Sequence, residues 1–134
     1  MGHWGVKSYE IDEANDAIDA GFERVHGSVY DELMDDRNPL TYDQVIAKLA
    51  NEKTLAAAIE ALEDEFGADR DDWDEIARLA FAGIVVRHAE LKVPLDPVTK
   101  ALAIAHLRDE SIEWEEATAR KIRRDKEIGL LEKS

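Results

Sequence analysis

Cysteine is absent from the chain, which excludes a disulfide framework and any chemistry that runs through a thiolate. Proline occurs only at Pro39, Pro94 and Pro97, and each falls between periodic segments. Serine is scarce, at Ser8, Ser28, Ser111 and Ser134. None sits in a Gly-x-Ser-x-Gly elbow, and no glycine-rich phosphate loop follows a strand pattern. Long apolar runs are missing as well. The longest central stretch without a charge, Leu79 to Val86, has eight residues in a chain that is 36% charged, far short of the roughly 20 that cross a bilayer. The first residues lack the basic and apolar regions of a secretory signal. Val6 stands where a myristoylation motif needs Ser or Thr. These absences lead to the expectation of a soluble, cytoplasmic protein that does not engage a membrane.

Positive charge is what the first half has least of. Residues 1–75 carry 21 acidic and 6 basic side chains, a net of −15, whereas residues 76–134 carry 10 and 11, a net of +1. An acidic half of this strength repels phosphate backbones and anionic lipid and suits a basic partner. The one basic cluster, Arg120-Lys-Ile-Arg-Arg-Asp-Lys126, lies late in a helix that begins with Glu113, Glu115 and Glu116. The helix dipole favours that order of charges. With Glu116–Arg120 and Arg123–Glu127 at four-residue spacing and no interleaved aromatics, nucleic-acid binding is not expected.

What is present is helical periodicity. Ile11, Ala14, Ile18, Phe22, Val25, Val29 and Leu33 step by three or four, predicting a helix over 11–34 that Gly21 and Gly27 weaken, with a kink or break near Gly27. Asp35-Asp-Arg-Asn-Pro39 reads as a turn. Thr41 with Gln44 forms a capping box ahead of Val45, Ile46 and Leu49. Asn51-Glu-Lys-Thr54 reads as a break before a helix over 55–66 that Gly67 ends. The segment 73–91 is apolar around its whole circumference in the middle and is therefore the buried central helix, with Asp71 or Asp72 as N-cap, Gly83 letting another helix pass close by, and Leu79, Phe81, Ile84 and Val85 as core. Asp96-Pro97 starts the next helix, and a last one runs over 111–131. Ala58-Ile-Glu-Ala-Leu-Glu-Asp-Glu65 echoes Ala103-Ile-Ala-His-Leu-Arg-Asp-Glu110, each followed by a tryptophan and paired acids, at a period found in helix-pair repeats. The expected fold is all-α: a single domain, 1–134, of five or six helices around 73–91, with a short extended N-terminal segment, 1–9, packed on it.

The four histidines invite a metal reading. Glu23-Arg-Val-His26 has the Glu-x-x-His spacing of carboxylate-bridged di-metal bundles, which places both side chains on one helix face. A second such motif is lacking, since Val85 and Ala103 stand three residues before His88 and His106. His106 and Glu110 share a helix face at four-residue spacing. A site assembled across helices from Glu23, His26, His88 and His106 is the metal-binding alternative. No His-Glu-x-x-His motif exists. The acid-rich Asp69–Glu75 stretch fails the calcium-loop pattern, with Trp73, Asp74 and Ala80 where the loop needs Asp or Asn, Gly and Glu.

Met1-Gly-His-Trp-Gly5, followed by Tyr9-Glu-Ile-Asp-Glu-Ala-Asn-Asp16, resembles the opening of a bacterial family of unknown function, DUF4259. Trp4, Gly5, Tyr9, Asp12, Ala14 and Asp16 occupy the family's positions, while Ile11 stands where Asn or Asp is usual. The resemblance covers about the first 30 residues and implies a small helical cytosolic protein with no stated activity. Read from the residues themselves, Trp4 anchors the opening segment onto the core, with Gly2 and Gly5 permitting close approach. The functional alternative makes Trp4, Tyr9, Asp12 and Asp16 a recognition surface. The leading functional expectation is a non-enzymatic, inhibitor- or immunity-like module that binds a basic protein and needs no cofactor. The competing ones are a metal-binding bundle or small metalloenzyme, and a structural homo-oligomer.

Overall fold

A computed structural model describes residues 7–35, 37–110 and 116–134. Trp4 with the other residues of the opening motif, and Trp114 with Ser111 to Glu115, lie outside the described residues. Among the described residues seven α-helices follow one another: α1 (Asp12–His26), α2 (Ser28–Leu33), α3 (Tyr42–Leu49), α4 (Glu52–Phe66), α5 (Glu75–Glu90), α6 (Pro97–Arg108) and α7 (Ala117–Lys133), with a 3-10 turn at Arg70–Asp72. The protein is an all-α bundle.

The helix ends show why the chain breaks where it does. Gly27, at φ 52°, separates α1 from α2, as its freedom in the left-handed region allows. Thr41 and Gln44 form the capping box of α3, Gly67 ends α4, and Asp96 caps α6 through the Val98 and Thr99 amides. Two boundaries differ from the sequence reading. Asn51-Glu-Lys-Thr54 is not a break but the start of α4: the Asn51 side chain accepts from Thr54 N and the Thr54 hydroxyl accepts from Asn51 N, so an apparent breaker satisfies the first orphan amides. The cap of α5 is Asp74, whose Oδ1 accepts from Ala77 N at 2.9 Å. Asp71 and Asp72 are spent in the preceding 3-10 turn, and Trp73 is buried there with its indole Nε1 donating to Gly67 O at 2.8 Å.

Helix α5 is the centre. Eleven of its sixteen residues are buried, and it packs on α1, α4, α6 and α7. One contiguous core joins Phe22 and Ile18 of α1, Leu55 and Leu62 of α4, Phe81, Ile84 and Val85 of α5, and Leu107 of α6. The echoing positions Ala58 and Ala103, and Leu62 and Leu107, are all buried.

Two glycines decide how closely the layers approach. A Cβ on Gly21 would lie 2.5 Å from Ala58 N and 2.7 Å from Ala58 Cα. Gly21 therefore lets α1 and α4 meet backbone to backbone, which outweighs the roughly 1 kcal/mol a helical glycine costs. On Gly83 a Cβ would lie 2.6 Å from the Ser8 carbonyl oxygen. What passes close to α5 there is the N-terminal segment, not another helix as the sequence suggested. The described end of that segment closes a turn, with Glu10 N donating to Lys7 O at 2.9 Å.

Candidate functional site

Asp12, Asp16, Asp19 and Glu23 recur at spacings of four, three and four on α1, which places them on one helix face. All four are exposed. The Gly27 turn then folds α2 back so that its residues extend this face. Tyr30 is buried beneath it and donates its hydroxyl to Asp19 Oδ1 at 2.6 Å. Burial, followed by that hydrogen bond, holds the Tyr30 hydroxyl well above the ordinary phenol range. The Asp31 carboxyl beside Glu23, first as a hydrogen-bond partner, then desolvation and repulsion from Asp31 and Asp19, raises the Glu23 pKa above its usual value. Among the described residues no ion pair engages Asp12, Asp16, Asp19, Glu23 or Asp31.

Of the recognition residues expected at the N-terminus, Asp12 and Asp16 belong to the acidic face just described. Tyr9 is half-buried, with the Arg87 guanidinium 5.0 Å and the Lys7 ammonium 5.6 Å from its ring centroid. Burial, and next the neighbouring Glu90 carboxyl, push its hydroxyl pKa upward. Tyr9 thus packs the N-terminal turn against the end of α5, with Arg87 held in turn by Asp43 of α3 at 2.8 Å. Trp4 lies outside the described residues.

The residues of the metal reading are also held apart. The His26 Nε2 lies 2.8 Å from Leu49 O, while Glu23 turns to Asp31. The Phe22 ring contacts both the His26 and the His88 imidazole, with centroids 6.3 and 5.9 Å away. His106 stacks edge-on against Phe81 at 5.6 Å, and desolvation lowers its pKa. Among the described residues no three His, Asp or Glu side chains gather in a way that would hold a metal ion.

His88 is fully buried. Its Nδ1 lies 2.9 Å from Ile84 O and its Nε2 3.0 Å from Thr54 Oγ1. The carbonyl can only accept, so Nδ1 carries the proton and the Nε2 lone pair of the neutral ring faces the Thr54 hydroxyl, whose one proton lies between it and Asn51 O at 2.8 Å. Burial pushes the pKa from 6.5 down to about 4. A depressed histidine contributes stability that is complete above pH 6.5 and lost as pH falls toward 4, because the unfolded chain takes up the proton first. At 1.36 kcal/mol per pKa unit the contribution is about 3 kcal/mol. The advantage of the wild type over His88→Gln in urea unfolding is expected to narrow by about that amount between pH 7 and pH 4. A gap that does not change with pH would mean the ring is hydrated.

The feature the sequence hid is a chain of buried charges. Arg120, 2% exposed, donates Nη1 to Glu127 Oε1 at 2.8 Å and its Nε and Nη2 to the Glu110 carboxylate. The second oxygen of Glu127 accepts from the Ser8 amide at 2.9 Å and the Ser8 hydroxyl at 2.8 Å, and faces Arg123 Nε at 3.4 Å. Arg123 then reaches Glu90 at 3.2 Å. Signs alternate from Glu110 through Arg120, Glu127 and Arg123 to Glu90, joining the ends of α5 and α6 to α7 and to the N-terminal turn. The expected Arg123–Glu127 pair is present, but Arg120 turns inward, and Glu110 serves Arg120 where its spacing had suggested His106. The only signal in the sequence is indirect. The buried residues of α7, Arg120, Glu127 and Leu131, share a face at spacings of seven and four, while the apolar Ile122 stands 55% exposed.

Among the described residues no helix is long and apolar enough to cross a membrane. Neither a protein-family model, nor a curated protein, nor a solved structure matches the chain.

Proposed function

We propose that the protein is a non-enzymatic interaction module whose acidic face on α1 and α2 binds a basic surface of another protein. The observation that carries this reading is the exposed row of Asp12, Asp16, Asp19 and Glu23 along one face of α1, with no cation paired to any of them among the described residues. Arg24, on the neighbouring strip of α1, pairs instead with Glu60 and Asp64 of α4. An anionic face left without counter-charge in the free protein gains most when a lysine- or arginine-rich surface arrives, and it steers that encounter from a distance.

Such binding weakens with salt, since the Debye length shortens from about 30 Å at 0.01 M to about 10 Å at 0.1 M. Affinity capture from the source cells at low and moderate ionic strength, with wild type and with Asp16→Lys/Asp19→Lys/Glu23→Lys, is the test. A salt-sensitive partner held by wild type and released by the charge-reversed variant is expected. Equal capture by a control that reverses Asp69, Asp71 and Asp72 would tie the effect to this face, whereas the absence of any salt-sensitive partner would overturn the reading.

A further inference from the structure

Helix α4 and the loop that leads into α6 enclose a groove of about 650 Å³. Its apolar lining is Leu55 and Ile59 of α4 with Leu95 of the loop, and its rim carries Glu52, Glu60 and Asp96. Among the described residues the one cation on its wall, Arg70, is engaged with Glu63 at 3.2 Å and with the Trp73 and Phe81 rings. Among the described residues Glu52 and Asp96 form no ion pair. Asp96 is locked in place as the cap of α6, and its hydrogen bonds from Thr99 hold its pKa below the ordinary carboxylate range. The rim charge is therefore fixed in position.

We propose that this groove docks a basic amphipathic helix of the partner protein, which lays apolar side chains on Leu55, Ile59 and Leu95 and sets lysine or arginine against Glu52, Glu60 and Asp96. The inference rests on the basic-partner reading above and adds the secondary structure and apolar face of what binds. Charge complementarity selects the occupant. An apolar floor within an anionic rim matches a helix with one apolar and one cationic face, whose anchors recur at the i, i+3, i+4 spacing that suits a groove along α4. A neutral apolar segment would leave the rim acids facing desolvation without a counter-charge, and an acidic one would be repelled. Glu60 links the groove to the rest of the acidic surface, because it also meets Arg24 of α1 at 3.7 Å.

The test uses two synthetic peptides of about 14 residues, long enough for marginal helix formation. One carries lysines and leucines on opposite helix faces, and the other has the same lysines with serine in place of leucine. Amide shifts in the full chain are followed by two-dimensional NMR. The Lys/Leu peptide is expected to shift Leu55, Ala56, Ile59 and Thr99 and to bind more tightly than the Lys/Ser peptide. Ala56 is exposed, so Ala56→Trp fills the groove without entering the core and is expected to weaken the Lys/Leu peptide at least about tenfold, equivalent to 1.4 kcal/mol. An unchanged melting temperature for that variant confirms that the loss is local. If both peptides bind equally, shift only residues 12–31 and ignore Ala56→Trp, the groove proposal falls while the acidic-face reading stands. No binding by either peptide also overturns the groove, and the capture experiment with the charge-reversed α1 decides the broader reading separately.

Discussion

Replacing Arg120 with methionine is expected to lower the unfolding free energy by about 3–5 kcal/mol, the range found when one partner of a buried ion pair is removed. The guanidinium is 2% exposed, and both carboxylates it serves, Glu110 and Glu127, are buried with it at side-chain exposures of 4% and 0%. Desolvation opposes the charge on Arg120, but the hydrogen bond to Glu110 and the field of Glu127 and Glu110 outweigh it and raise its pKa. Methionine matches much of the volume, so the loss measures uncompensated anions and not a cavity. Arg120→Lys keeps the charge without the fork that grips Glu110 through two nitrogens and is expected to lose less than methionine does. Pairing Arg120→Met with Glu110→Met removes one stranded anion and is expected to recover part of the loss. Urea unfolding with an unchanged m-value is the measurement. A loss below about 1 kcal/mol, the size of a surface pair, would mean that water reaches the network.

The second large effect belongs to α5. Phe81→Ala is expected to lose about 3–5 kcal/mol, from lost transfer energy and the cavity left behind. Phe81 is fully buried, against the Trp73 ring at 6.2 Å, the His106 ring at 5.6 Å and the Arg70 guanidinium at 5.1 Å. Its neighbours come from the 3-10 turn, α5 itself and α6, three separately fixed elements that cannot all collapse into the gap. Because Trp73 loses a ring partner, its near-ultraviolet circular dichroism is expected to weaken in parallel. Truncation at Leu79, Ile84 and Val85 is expected to cost about 2–5 kcal/mol each. Losses under about 1 kcal/mol at all four positions would move the core away from α5.

The fold was legible where local chemistry and periodicity agree. The uncharged middle of α5, the Thr41–Gln44 box, the Gly67 end of α4 and the Asp96-Pro97 start of α6 each satisfy their own amides or bury their own stripe, so neighbours in sequence suffice to read them. Asn51 misled because a polar residue followed by charge looks like a breaker until its reciprocal bond with Thr54 is seen. The acidic stripe of α1 was readable as spacing, but its lack of counter-charge was not. Whether Arg24 serves Glu23 or the acids of α4 depends on how α1 lies against α4, which Gly21 and Ala58 settle by close approach.

By itself the sequence determined the all-α class, the central helix, most of the caps and the excess of negative charge in the first half. These depend on interactions within about four residues, or on composition alone. Tertiary structure decided which charges are buried. Arg120 and Ser8 both find Glu127, the latter across 119 positions, and no periodicity encodes a contact of that range. It also decided that His26 and His88 pack on one ring, Phe22, while His106 packs on Phe81, and that the first two meet Leu49 O and Thr54 Oγ1, because a polar group turned inward must be satisfied by whatever donor or acceptor its neighbours present.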